Sequence, residues 1–219
     1  KDWDSVQTRV ALVFPDIYDI GVSNVGLKIL YDQVNQRDDS LAERAYAPWL
    51  DMEVLMRAHE IPLYSLESKR PLACFDLIGF SLPYETLYTN ALNILDLSGI
   101  PIRSADRDET HPFIIAGGHS TMNPEPMHAF MDAFVIGEGE EVIHDIINVI
   151  QKVKSQKSKV NEDLRPFDTL RAAPSTLRYT QGNAFDRKHL LHELAKIPGV
   201  YVPSLYEVSY LEDGAVAHI

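Results

Sequence analysis

Short apolar runs alternate with segments whose apolar residues recur every three or four positions, and that alternation sets the expected fold. Val10-Ala11-Leu12-Val13-Phe14 is apolar without interruption, the pattern of a strand covered on both faces. Leu27 to Val34 follows with helical spacing. Glu43 to Ala47 reads as a short second strand, closed by Pro48, and Trp49 to Arg57 as a helix placing Leu50, Val54, Leu55 and Met56 on one face. Pro62 to Leu66 fits either an extended connector or an edge strand. Phe75 to Leu82 is the clearest central strand, followed by a helix from Glu85 to Ser98 that stops at Gly99 and Pro101. Phe113 to Gly118 is the next strand. Asn123-Pro124 then reads as an N-cap with proline at the first helical position, opening a short helix through Phe130. Ala133 to Gly137 completes the sheet, and an amphipathic helix carrying Val142, Ile143, Ile146, Ile147 and Ile150 comes after it.

The expectation is an α/β fold, a doubly wound parallel sheet of about five strands, over residues 8–150. From Lys152 to Lys159 four lysines interrupt the apolar pattern, so residues 151–185 read as a connector with a solvated charge run. Residues 186–219 read as a small appendage: a helix from Arg187 to Lys196, ended by Pro198-Gly199, and a hairpin turning at Glu212-Asp213-Gly214.

Charge and cysteine content narrow the function classes. Among 219 residues, 20 Lys and Arg face 32 Asp and Glu, a net charge of −12, which disfavours broad contact with nucleic acid or anionic membrane. The single cysteine, Cys74, excludes an intrachain disulfide or a cysteine-held cluster within this sequence and fits a reducing cytoplasm. No apolar run is long enough to span a bilayer. The sequence starts at Lys1 and stops inside the hairpin, as a piece of a longer protein would.

Candidate chemistry gathers at the carboxyl ends of the expected strands, where open α/β sheets bind ligands. The turns there are Asp16-Ile17-Tyr18-Asp19-Ile20-Gly21, Ser81-Leu82, Gly117-Gly118 and Gly137-Glu138. Taken singly, each is an ordinary strand-to-helix turn; together they form one rim of small and polar residues. The histidines offer no pair at metal-ligand spacing on one expected helix, although His119 follows the glycine pair. Trp49 and Tyr84 read as packing residues.

The first of these turns resembles the Asp-x-His-x-x-Gly signature of cobalamin-binding domains such as that of methionine synthase, with Tyr18 where that family has the cobalt-ligating histidine. Over roughly residues 8–150 the resemblance sharpens. Pro15-Asp16-x-Tyr18-x-x-Gly21, Glu43-Arg44 with Ala47-Pro48-Trp49, Ser65-Leu66-Glu67-Ser68 and Gly79-Phe80-Ser81-Leu82 resemble a radical S-adenosylmethionine (SAM) family with a cobalamin-binding-like front domain. Tyr88-Thr89-Asn90 and Gly117-Gly118 with Asn123-Pro124-Glu125-Pro126 do so too. The resemblance implies a fold of the cobalamin-binding-domain type, with Asp16, Tyr18, Gly21, Ser81, Leu82, Gly117, Gly118, Gly137 and Glu138 at the cofactor. It also implies a downstream barrel whose three cysteines hold a [4Fe–4S] cluster that cleaves SAM. No catalytic residue is assigned within this sequence.

Three other readings share the sheet. An empty interaction scaffold keeps the fold without the cofactor. A flavodoxin-like or receiver domain would lean on Asp16 and Asp19. A serine hydrolase would use Ser81, but a nucleophile elbow needs glycine where Pro83 stands.

Overall fold

A computed structural model describes residues 1–163, 186–207, 209–213 and 216–218. Its centre is a six-stranded sheet in the order β2-β1-β3-β4-β5-β6. Strands β1 (Thr8–Phe14), β2 (Ser40–Tyr46), β3 (Leu77–Ser81), β4 (Phe113–Gly117) and β5 (Ala133–Val135) run parallel. The sixth, β6 (Val200–Tyr201), is antiparallel to β5 and was not foreseen in the sequence. Between the strands lie a single turn α1 (Tyr18–Gly21) and the helices α2 (Val25–Gln36), α3 (Leu50–Ala58) and α4 (Tyr88–Leu97). After the parallel strands come α5 (Gly139–Asp163) and α6 (Arg187–Leu194). The hairpin is present as β7 (Ser209–Tyr210) and β8 (Val216–His218).

The strand order dictates where the helices go. Stepping from β1 outward to β2 and then back across to β3 reverses direction, and right-handed crossovers therefore put α2 on one face and α3 with α4 on the other. Helix α5 returns to the face of α2 and packs against it. The core lies on both faces, with Phe75, Phe80, Phe113 and Phe134 fully buried beside Leu12, Leu77 and Ile78.

Two buried aspartates stitch the amino ends of the strands together. Asp76, just before β3, accepts the backbone N–H of Arg9 at 2.8 Å and pairs with Lys154 Nζ at 2.5 Å. Asp132, just before β5, accepts the N–H of Ile114 at 2.7 Å and joins Arg107 and Arg187. Burial pulls the Lys154 ammonium below the usual lysine range, against the pull of Asp76. The carboxylates thus replace ladder partners where the ladder ends.

The free edge of β2 is blunted as well. Arg44 donates its backbone N–H to Glu67 Oε2 at 2.7 Å and its Nε to Glu67 Oε1 at 2.8 Å, while its carbonyl accepts from Leu66. A loop thus occupies the edge that would otherwise invite a further strand.

Three expectations need correction. Asn123 to Phe130 forms no α-helix but one short 3-10 turn, Glu125–Met127, after another at His119–Met122. Pro126, close behind Pro124, removes the N–H that a longer helix would use. Lysines 152 to 154 do not start a connector, because α5 continues to Asp163; no glycine or proline interrupts it, and Lys and Gln are good helix formers. Val153 and Lys154 point inward, so that part of the run is not a solvated face. The remainder of the expected connector, residues 164–185, lies outside the described residues. The third correction concerns α3: Leu50, Val54 and Leu55 are exposed and only Met56 is buried. Trp49 and Tyr84, expected to pack, are exposed too.

Candidate functional site

A cavity of about 200 Å³ opens at the carboxyl end of the sheet, on the face between α2 and α5. Its floor is a row across three strands, Leu12 of β1, Gly79 of β3 and Ile115 of β4, which stand side by side in register. Leu27 and Leu30 of α2 form one wall, and Ile143 and Ile146 of α5 the other. Asn24 fixes the entry of α2 by accepting the N–H of Leu27 at 2.8 Å.

Glycine makes the space. Of the chain's 11 glycines, Gly26, Gly79, Gly117, Gly118, Gly137 and Gly139 line this one cavity. Gly79 interrupts a buried strand at its middle, where a β-carbon would sit 3.5 Å from Leu12 and 3.8 Å from Ile115. Such a side chain is sterically admissible there, but it would grow into the opening. Gly117 is similar, with Val135 at 3.8 Å. Gly118 serves a different need. Its φ is +109° and a β-carbon would meet the Leu82 carbonyl oxygen at 2.8 Å, so the β4 turn lies directly on the β3 turn. Gly137 has a φ of +116°.

The nine residues expected at the cofactor divide into two groups. Ser81, Gly117, Gly118, Gly137 and Glu138 line the cavity. Leu82 is fully buried beneath it, donating its N–H to the Gly117 carbonyl and accepting at its own carbonyl from the hydroxyl and N–H of Ser120. Asp16, Tyr18 and Gly21 stand apart, at the end of β1 against the end of β2. The Asp16 carboxylate accepts the N–H of Ile17 at 2.8 Å. The Tyr18 ring is half-exposed and meets Tyr46 edge-on at 5.3 Å between centroids. Gly21 is packed against Tyr46 and Phe14, with no room for a β-carbon. His119 is exposed and is not among the lining residues.

Gly26, Gly79 and Gly139 were not among the residues expected at the cofactor. A glycine inside an apolar strand was a visible signal, since it weakens a strand unless something approaches it closely.

The mouth carries Glu138 and Glu140 beside the start of α5. A helix N-terminus ordinarily draws anions, and these two carboxylates already occupy that role. The cavity is therefore apolar within and acidic at its lip, suited to a largely uncharged group rather than to a polyphosphate. Among the described residues no cluster of three or more His, Cys, Asp or Glu side chains is arranged to hold a metal ion, and no helix is long and apolar enough to cross a membrane.

Residues 26–174, about two thirds of the chain, match the family described as "Radical SAM proteins, N-terminal". A relative from Methanocaldococcus jannaschii, "Uncharacterized protein MJ0966", is 26% identical over 157 residues, which cover 70% of this chain. The same stretch covers 30% of that relative, so the chain spans well under half its length. The match over most of the sheet shows the family: this chain belongs to the radical SAM N-terminal family, as the front domain of a radical SAM protein.

Proposed function

We propose that this domain holds a cobalamin by its nucleotide tail in the glycine-lined cavity and presents it to a downstream barrel carrying a [4Fe–4S] cluster and SAM. The observation that carries this reading is the row Leu12, Gly79 and Ile115, roofed by α2 and α5 and opened by six glycines. It is a slot whose shape depends on missing side chains, and a β-carbon chain at Gly79 or Gly117 would fill it.

Leu12, Leu30, Ile115 and Ile143 would bury the apolar base of the tail, and burial of such a flat ring contributes about 25 cal/mol per Å² of apolar surface. Ser81, at the lip, offers a hydroxyl to a polar edge of the tail. Bound cobalamin would supply methyl-transfer or radical-rearrangement chemistry to the parent protein. The chain's own residues bind, orient and exclude water from the tail.

Tyr18 is no substitute for an imidazole. A phenol is a poor ligand for cobalt beside a neutral imidazole. Its packing on Tyr46, with Asp16 turned to its own loop, supports a site that supplies no protein ligand to the metal. The same packing favours the second reading, an empty scaffold of this fold. The hydrolase reading loses support, since no histidine is among the residues lining the cavity beside Ser81.

The test is retention of hydroxocobalamin by the purified parent protein, followed by its visible spectrum. Retention is expected for the wild type and for Tyr18→His, and loss for Gly117→Leu with the fold intact by circular dichroism. No retention by wild type or Tyr18→His at high micromolar protein would leave the empty scaffold.

A further inference from the structure

Helix α3 is built inside out. Its polar side is tied to the body of the domain: Glu53 accepts from Arg57 at 2.9 Å and from Asn93 at 3.0 Å. Arg57 also reaches Asp96 at 2.8 Å and Asn93 at 2.7 Å, on α4. Its apolar side faces water, with Leu50 73%, Val54 66% and Leu55 58% exposed and Met56 alone buried at 2%. A solvent-facing helix normally shows the reverse pattern.

This face does not stand alone. Trp49 leads into it from the end of β2, and further exposed apolar side chains follow the other central strands: Tyr18 after β1, Tyr84 after β3 and Met122 after β4. All four lie in the segments that follow the carboxyl ends of the strands, at one edge of the sheet. Isolated exposed apolar residues are common, but a set on one helix and on successive turns at one edge of the sheet marks an interaction surface.

We infer that the outer face of α3 and the carboxyl-edge turns dock the remainder of the parent chain, its downstream radical SAM domain. The occupant follows from two facts: the chain belongs to an amino-terminal family, and most of the length of its methanogen relative lies outside the matched stretch. The inference rests on the family assignment and on the barrel named above, and it does not require cobalamin to be bound.

The experiment is hydroxyl-radical footprinting of the full-length parent, wild type against Val54→Asp/Leu55→Asp. Both positions are exposed within this domain, so the substitutions leave its own core untouched. Oxidation of Trp49 and Leu50 is expected to rise several-fold in the variant, because opening an interface returns its desolvated centre to water. The small-angle scattering radius should grow while the protein stays monomeric. Equal oxidation in both proteins would overturn the inference. So would wild-type protection that fades on dilution together with a sedimenting dimer, since the covering partner would then be a second copy. A Gly117→Leu parent that loses cobalamin but keeps Trp49 protected would separate the two proposals.

Discussion

At Gly118 and Gly117, adjacent glycines do opposite jobs. Gly118 combines a left-handed φ of +109° with a 2.8 Å approach to the Leu82 carbonyl, so any side chain there meets both backbone strain and a fixed wall. Gly118→Ala should cost about 3 kcal/mol, the upper end of what a strained residue contributes. Gly117→Ala, whose added carbon meets only Val135 at 3.8 Å, should cost under about 1 kcal/mol. Urea melts of the two variants check this; equal losses would mean that the β3 and β4 turns are not in contact. Glycine pairs at strand ends were legible in the sequence, but which member shapes the fold and which leaves room was not. That distinction depends on what stands opposite each α-carbon. The same holds for Tyr18 and Gly21: their spacing was readable, whereas their packing against Tyr46 follows from β2 ending beside β1.

Among the elements, the passage from α2 into β2 carries a clip that acid should open. Arg37 donates from Nε and a terminal nitrogen to the two Asp39 oxygens, both at 2.9 Å. The guanidinium holds the Asp39 carboxyl down from its ordinary 3.8 to about 2, with smaller help from Ser40. A carboxyl lowered by folding stabilises the folded state above its unfolded pKa, and that contribution is lost as pH falls from about 4 toward 2. Because the pair is partly solvated, the effect is about 1 kcal/mol or less. Asp39→Asn should therefore destabilise the protein at pH 7 and make little difference near pH 2. A denaturant midpoint gap between variant and wild type that persisted at low pH would contradict this.

Elements buried on both faces, β1 and β3 above all, were legible because each holds an unbroken apolar run, Val10 to Phe14 and Leu77 to Phe80. Element β6 was not, since two residues carry no period. Helix α5 was cut short because the lysines were weighed as charge rather than as helix formers, and Lys154 turned out to reach a buried aspartate. For α3, periodicity gave the apolar face but could not say which way it pointed.

On the scale of the whole molecule, the two ends of the sheet differ in kind. The amino end carries buried ion pairs around Asp76 and Asp132, which tie down strands. The carboxyl end is open, glycine-lined and rimmed by exposed apolar side chains. That polarity follows from the winding of the sheet, which brings the loops after β1, β3, β4 and β5 to one edge. The order of the turns along the sequence put them all at one edge, but only those after β3, β4 and β5 line the cavity. The depth of the cavity was not foreseeable, because it is set by how α2 and α5 lean together over Gly79.

The claim that matters most is that the tail of the cofactor, rather than its corrin ring, is what this domain grips. Equilibrium dialysis of the parent protein against cobalamin and against cobinamide, which lacks the nucleotide tail, tests it directly. The account predicts that cobalamin is held at least tenfold more tightly, about 1.4 kcal/mol, and that Gly117→Leu brings it down to the level of cobinamide. Equal affinity for the two corrinoids, or cobalamin binding that survives a filled cavity, would contradict it.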